Sequence, residues 1–160
     1  MRNNWLIILS IILGMLFTSI AVFADVTITV KGNIIAPPSC VINSGGTATT
    51  DFGSFNASEV DGFSHRKEVT YTVSCQSPPS NLMKLRIDGT QADFGFALKT
   101  DKPDLALSLF KDNQQIQLGQ WVNFTWPTLP RLYAVPAKRP GSTLTGGDFS
   151  ASATLVVDYQ

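Results

Sequence analysis

Apolar and polar residues alternate along most of this chain, and the alternation predicts a protein built from β-strands. Residues 69–75 and 83–87 each place apolar side chains at every second position, as a strand with one buried face requires. Clusters of Gly, Pro, Asn, Asp and Ser separate such segments, and no stretch has sustained helical periodicity. Many short strands with regular turn signals indicate an all-β sandwich or barrel.

The middle of the chain contains further short strands between turn signals. Residues 57–62 are predicted to form a turn or a single helical turn, residues 47–52 to be extended, and residues 136–146 to form a loop. Pro130 and Pro136 are expected to bound one strand, because proline interrupts a strand's hydrogen bonds. The remaining predicted strands are 39–43, 94–99, 105–110, 116–118, 122–125 and 132–135.

The two ends of the mature chain are both strong strand candidates. Near the N-terminus, before Pro37-Pro38, one face of a predicted strand carries Val26, Ile28, Val30, Gly32 and Ile34. At the C-terminus, Gly146-Gly147 is expected to open a long final strand, with one face formed by Phe149, Ala151, Ala153, Leu155, Val157 and Tyr159. No strand follows to pair with it, and an exposed apolar sheet edge invites pairing with another chain. A spare strand at one end and an open groove at the other describe a subunit of a head-to-tail fibre.

The first 24 residues are predicted to be a secretory signal. Arg2 precedes an apolar run over residues 5–23, and Val22-Phe23-Ala24 places small residues where a signal peptidase cleaves. Asp25 would then be the first mature residue. The alternative is an uncleaved anchor, since about 20 apolar residues can span a bilayer.

Composition excludes several function classes. The chain has 12 basic and 12 acidic residues, and removing Arg2 with the signal leaves 11 against 12. Such a neutral chain has no electrostatic footprint for nucleic acid, so no nucleic-acid partner is expected. With one histidine and two cysteines, neither a metal site nor a cofactor is expected.

Export makes the cysteines informative. Cys40 and Cys75 are an even pair in an oxidising compartment, so a disulfide enclosing about 35 residues is the expected state. The alternative, a redox or catalytic thiol, lacks a Cys-x-x-Cys motif.

Several segments resemble the subunits of chaperone–usher pili. The stretch from Asp25 to Asn33, followed by Pro37-Pro38-Ser39-Cys40, resembles the start of mature subunits of that family. Asp51-Phe52-Gly53 resembles the family's segment after the first cysteine. The end of the chain resembles its terminal motif, with Gly147 fourteenth from the end and a penultimate tyrosine. The resemblance covers essentially residues 25–160 and is greatest to minor tip-fibre or adaptor subunits of the P-pilus type.

The resemblance implies an incomplete immunoglobulin-like β-sandwich that lacks its final strand. Residues 1–24 would be the signal, 25–36 a donor-strand extension, and 37–160 the pilin domain. A periplasmic chaperone would lend a strand during folding, and at the outer-membrane usher the next subunit's extension would replace it. The donor-strand residues would be Val26, Ile28, Val30, Gly32 and Ile34. The acceptor groove and C-terminal strand would comprise Gly147, Phe149, Ala151, Ala153, Leu155, Val157 and Tyr159. The expected function is a structural subunit of an adhesive fimbrium at the cell surface.

Three alternatives remain open at this point. Residues 25–35 would pair within their own domain if the chain were an ordinary self-contained sandwich. A carbohydrate-binding adhesin would use Trp121, Phe124 and Trp126 as a sugar platform, although aromatic residues of a sandwich belong more often to its core. An enzyme would need His65 as a base beside Glu59, Asp61 or Glu68, but no activated nucleophile or second histidine is present, so no catalytic activity is expected.

Overall fold

A computed structural model describes residues 28–32 and 40–160 and divides the chain into two compact units, with the boundary between Ile35 and Ala36. In the first unit, the described residues 28–32 carry no assigned strand, and Ile28 and Val30 are exposed. The predicted signal and the donor positions Val26 and Ile34 lie outside the described residues. Within the described ranges, no helix is long and apolar enough to cross a membrane.

The second unit is all-β, as predicted. Two short 3-10 helices occupy Asn43–Gly45 and Ala57–Glu59, the latter within the predicted turn. In chain order, the strands of the described residues are β1 Cys40–Ile42, β2 Lys67–Val69, β3 Val73–Cys75, β4 Leu82–Gly89, β5 Ala97–Lys99, β6 Leu105–Lys111, β7 Gln114–Ile116, β8 Val122–Thr125, β9 Leu132–Lys138 and β10 Ala153–Tyr159.

Two sheets form the sandwich. One has the order β10-β4-β8, and the other has the order β2-β9-β6-β5, with β7 also paired to β6. The apolar positions predicted from alternation on β4 are buried, while Lys84 and Arg86 between them are only half-buried. Core side chains from both sheets pack together: Met83, Leu85, Ile87, Leu109, Ile116, Phe124, Leu132 and Ala134.

A third, two-stranded sheet pairs β1 with β3 and carries the disulfide. Cys40 lies directly opposite Cys75 in this antiparallel ladder, and the two are bonded, which confirms the predicted bridge. The prediction of one continuous strand over 69–75 is wrong, because the chain changes sheets here: β2 pairs with β9, and β3 pairs with β1. Between them, the hydroxyl of Tyr71 donates a 2.7 Å hydrogen bond to the Pro130 carbonyl.

Pro136 does not end β9, and the prediction that it does is wrong. It lies opposite Leu107 inside a strand that continues to Lys138. The neighbouring β2 pairs with β9 only as far as Ala134, so Pro136 lies where β9 has β6 as its one partner in the described sheet. Proline is tolerated at such an edge position because no ladder bond is needed on the open side.

The final strand is shorter than the alternation predicts. It begins at Ala153, so Phe149 and Ala151 precede it. Side chains hold the segment before it: the Ser150 backbone N–H donates to the Asp101 carboxylate at 2.7 Å, and the Lys102 ammonium donates to the Gly146 carbonyl at 2.8 Å. This segment is therefore held in place without belonging to the ladder that β10 forms with β4.

Candidate functional site: an open groove beside the last strand

The strand β10 lies at the edge of its sheet and pairs with β4 along its whole length, from Ala153 opposite Gly89 to Tyr159 opposite Met83. In the described residues no strand pairs with its other edge. Its core-facing residues Leu155 and Val157 remain half-buried, although their partners on β4 are buried. Side chains on the inner face of a sandwich are normally buried by the opposing sheet, so this imbalance marks where the covering is incomplete.

A groove of about 1030 Å³ runs beside this open edge. One wall is the C-terminal segment from Leu144 to Leu155, and the other is the segment from Gly46 to Phe55, which carries no assigned strand. Apolar residues from both sheets line the groove between the walls: Val60, Val69, Ile87, Leu98, Leu105, Leu107, Leu109, Leu132 and Ala134. An apolar trough beside an unpaired strand edge can take another extended chain, which supplies main-chain hydrogen bonds and apolar side chains together.

Aromatic rings bring the two walls together at one end of the groove. The ring centroid of Phe149 lies 5.7 Å from that of Phe52 and 6.0 Å from that of Phe55. Gly147, just before Phe149, has a φ of +115°, and a β-carbon there would lie 3.3 Å from the Lys102 ammonium. Glycine suits this position because a side chain would be strained in that backbone conformation.

At the other end of β10, the C-terminal residues meet the disulfide. The Tyr159 hydroxyl lies 3.4 Å from Cys40 Sγ, and the Gln160 side-chain amide donates to the Met83 carbonyl at 2.7 Å. The penultimate tyrosine therefore ties the end of the strand to the β1–β3 pair.

Two ionisable groups at the groove have shifted pKa values. The Ser150 backbone N–H, followed by its hydroxyl, lowers the pKa of Asp101, which keeps this carboxylate ionised as an anchor for the wall. Burial raises the pKa of Tyr71, so its hydroxyl remains a hydrogen-bond donor at neutral pH.

Replacing Tyr71 with phenylalanine tests how far this hydrogen bond supports the groove. The phenyl ring keeps the packing but leaves the Pro130 carbonyl without its partner, so we expect the free energy of unfolding to fall by about 1 kcal/mol. Denaturant unfolding measures the change. A loss well above that size would mean that the variant also disturbs packing in the groove.

The acceptor positions predicted from sequence fall into two groups. Gly147, Phe149, Ala151, Ala153 and Leu155 line the groove. Val157 and Tyr159 pack against the core cluster instead. The opposite wall and the apolar lining were not predicted, because residues 46–55 lack alternation and the lining comes from strands distant in sequence.

The aromatic residues considered for a sugar platform are divided between two faces. Phe124 is buried and Trp126 packs against the core, as the core interpretation predicts. Trp121 does not belong to the core, and that prediction is wrong: the Lys84 ammonium and the Arg86 guanidinium lie over its ring, 5.0 Å and 4.6 Å from the centroid. The Trp121 ring is therefore already in contact with two cations of the neighbouring strand.

His65 lies in a hydrogen-bonded turn beside the groove. Its ring stacks on that of Phe55 with the two centroids 4.3 Å apart, and its Nε2 lies 3.2 Å from the Glu59 carboxylate. Asp61, another proposed neighbour, instead accepts hydrogen bonds from Phe63 and Ser64. Within the described residues, no group of three or more potential metal ligands occurs.

Together, the sandwich and its strand-sized groove define an immunoglobulin-like domain that lacks its final strand. The fold matches the P-pilus adaptor subunit PapF with a TM-score of 0.60 at 22% identity, covering 78% of this chain and 98% of that one. It also matches the P-pilus rod subunit PapA with a TM-score of 0.58 at 19% identity, covering 82% and 99%.

Sequence comparison gives the family. The fimbrial protein family model matches residues 28–160. The chain is 36% identical to the fimbrial-like protein YfcQ of Escherichia coli K12 over the full length of both, and 32% identical to the fimbrial adapter PapF of Escherichia coli, covering 94% of this chain and 98% of that protein. The chain therefore belongs to the fimbrial protein family. It is a structural pilus subunit, exported to the cell surface, that assembles with other pilus subunits.

Proposed function

We propose that this chain is a minor tip or adaptor subunit of a chaperone–usher pilus, joined to its neighbours by strand exchange. Its groove accepts a strand, and residues 25–36 are the strand that it donates. The observation that carries the proposal is the half-buried core face of β10 beside an apolar groove of about 1030 Å³. The likeness to the fimbrial adapter PapF supports the adaptor position.

Within this proposal, the acceptor site is formed by the groove-lining positions of the last segment, from Gly147 to Leu155, while Val157 and Tyr159 anchor the strand beneath them. The donor positions Ile28 and Val30 are 80% and 89% exposed, a costly arrangement for aliphatic side chains that find no partner. Val26, Gly32 and Ile34 complete the donor face by alternation. Burial in a neighbour's groove removes these side chains from water and packs them against apolar residues.

The proposed partners are a periplasmic chaperone and the outer-membrane usher, and the chain is processed by removal of its signal. A periplasmic chaperone fills the groove during export, and the outer-membrane usher is where a subunit's strand replaces it. Residues 1–24 are the signal that is removed, and 37–160 form the domain. We expect no catalytic activity, because the sequence offers no second histidine and no pattern of an activated nucleophile to work with His65.

Removing residues 25–36 tests the division into donor and acceptor. We expect the truncated chain to fold with its chaperone and to accept a donor peptide, but to lose attachment to the groove of another subunit. Co-purification with the chaperone and native mass spectrometry of subunit pairs measure the two properties. Replacing the same stretch with a Gly-Ser segment of equal length is the matched control and should behave like the deletion. Failure of the truncated chain to fold on the chaperone would show that these residues belong to their own domain.

A further inference from the structure

A single exposed phenylalanine stands out on the described surface of residues 40–160. The side chain of Phe63 is 83% exposed, whereas the next most exposed large hydrophobic of this unit, Phe96, is 55% exposed. Aromatic residues, phenylalanine included, are enriched in protein–protein interfaces relative to the rest of the surface. The surroundings of Phe63 therefore decide whether it is an anchor or an incidental loop residue.

Hydrogen bonds fix the backbone that presents this side chain. In the Phe63 turn, residues 61–65, the carboxylate of Asp61 accepts the backbone N–H of Phe63 at 2.8 Å and that of Ser64 at 2.6 Å, and also accepts the Ser64 hydroxyl at 2.9 Å. These bonds, that from the Ser64 N–H foremost, lower the pKa of Asp61 to about 2. A turn fixed in advance loses little conformational freedom when it binds.

The Phe63 turn borders one end of the groove. Its last residue, His65, stacks on Phe55, and the Phe55 ring meets Phe149 on the opposite wall. The residue after the turn, Arg66, is held through its own guanidinium. This group donates to the Asp112 carbonyl and lies 3.8 Å from the centre of the Tyr133 ring. The exposed ring is therefore carried at the end where the aromatic residues join the walls.

A strand that fills the groove would leave it at this same end. Every strand pairing in the described residues is antiparallel, and a strand antiparallel to β10 would finish near its N-terminal end, beside Phe149. In a donor built like this chain, four peptide steps separate residue 36 from Cys40, the first residue of β1, and they span at most about 14 Å. The donor's body must therefore lie close to the Phe63 turn.

We propose that the Phe63 turn is a docking surface for the globular body of the subunit whose strand occupies the groove. This inference rests on the proposed function, because it places a second contact beside the strand exchange. The contact restrains the angle between successive subunits, which strand exchange alone would leave to a connection of three residues.

Competition between acceptor variants tests this contact. Wild-type chain and Phe63→Ala chain, each held by the chaperone, compete at equal concentration for a limiting donor, and native mass spectrometry reads the captured ratio. One donor is the peptide of residues 25–36. The other is a second copy of this chain whose own groove is filled by a strand appended after Gln160, which leaves its residues 25–36 free. Phe96→Ala, which also removes an exposed ring, is the matched control.

With the peptide as donor, we expect the ratio of captured wild type to captured Phe63→Ala to be near one. With the whole subunit as donor, we expect this ratio to be about five or more, the size typical of a residue that anchors an interface. Phe96→Ala should compete equally with both donors. A ratio near one with the whole subunit overturns the docking surface, as does an equal disadvantage with the peptide, since Phe63 would then act on the groove itself. Weaker retention of Phe63→Ala by the chaperone with unchanged capture would assign the surface to the chaperone and also overturn it. If wild type accepts neither donor, the proposed function itself fails.

Discussion

Appending residues 25–36 after Gln160 through a short flexible linker is expected to stabilise the chain by several kcal/mol. The appended copy can fold back antiparallel to β10 and enter the groove that the structure leaves open beside Leu155. Four aliphatic side chains, those of Val26, Ile28, Val30 and Ile34, would gain roughly 6–12 kcal/mol from burial, before the cost of ordering the strand and linker. The net gain should raise the midpoint of thermal unfolding by on the order of 10 °C or more.

The alternation of the donor segment provides the matched control. Replacing Ile28 and Val30 of the appended copy with aspartate would bury charges against apolar residues and should abolish the gain. Replacing Thr27 and Thr29 with aspartate introduces the same charges on the opposite face and should preserve most of it. Equal behaviour of both variants, or a midpoint unchanged from the parent chain, would contradict an incomplete sandwich.

The strands that the sequence predicts well are those with one buried face and one face toward solvent. In β4 the buried positions Met83, Leu85 and Ile87 alternate with charged residues, so the period identifies both the strand and its core face. The alternation over 69–75 misleads for a physical reason. It continues across a change of sheet because residues on both sides, Val69 and Cys75, pack against the same core, and only the pairing reveals two strands.

The groove was only half predictable. The last segment shows its apolar face directly, whereas the wall from Gly46 to Phe55 forms no strand and its sequence lacks a strand's alternation. Its contacts are tertiary: Phe52 and Phe55 meet Phe149, almost a hundred residues away, and His65 covers Phe55. Such contacts depend on how the two sheets pack, and a local pattern of apolar residues does not contain that information.

Replacing Cys40 and Cys75 together with alanine is expected to lower the free energy of unfolding by roughly 3–4 kcal/mol, as loop-closure entropy gives for a bridge separated by 35 residues. Denaturant unfolding of the double variant and of wild type measures the loss. The variant Tyr159→Phe, which removes the hydroxyl beside Cys40 Sγ but leaves the bridge, is the control for local contacts and should cost far less. A double variant as stable as wild type would contradict the expectation.

The same double variant, made in the strand-appended protein, shows where the bridge acts. The closed loop contains the wall from Gly46 to Phe55, so the bridge has two ways of stabilising the domain: by restricting the unfolded chain or by holding the wall of the empty groove. Restriction of the unfolded chain does not depend on whether the groove is filled, so we expect the loss to be equal in both proteins to within about 0.5 kcal/mol. A markedly smaller loss when the groove is filled would mean that the bridge and the incoming strand order the same wall.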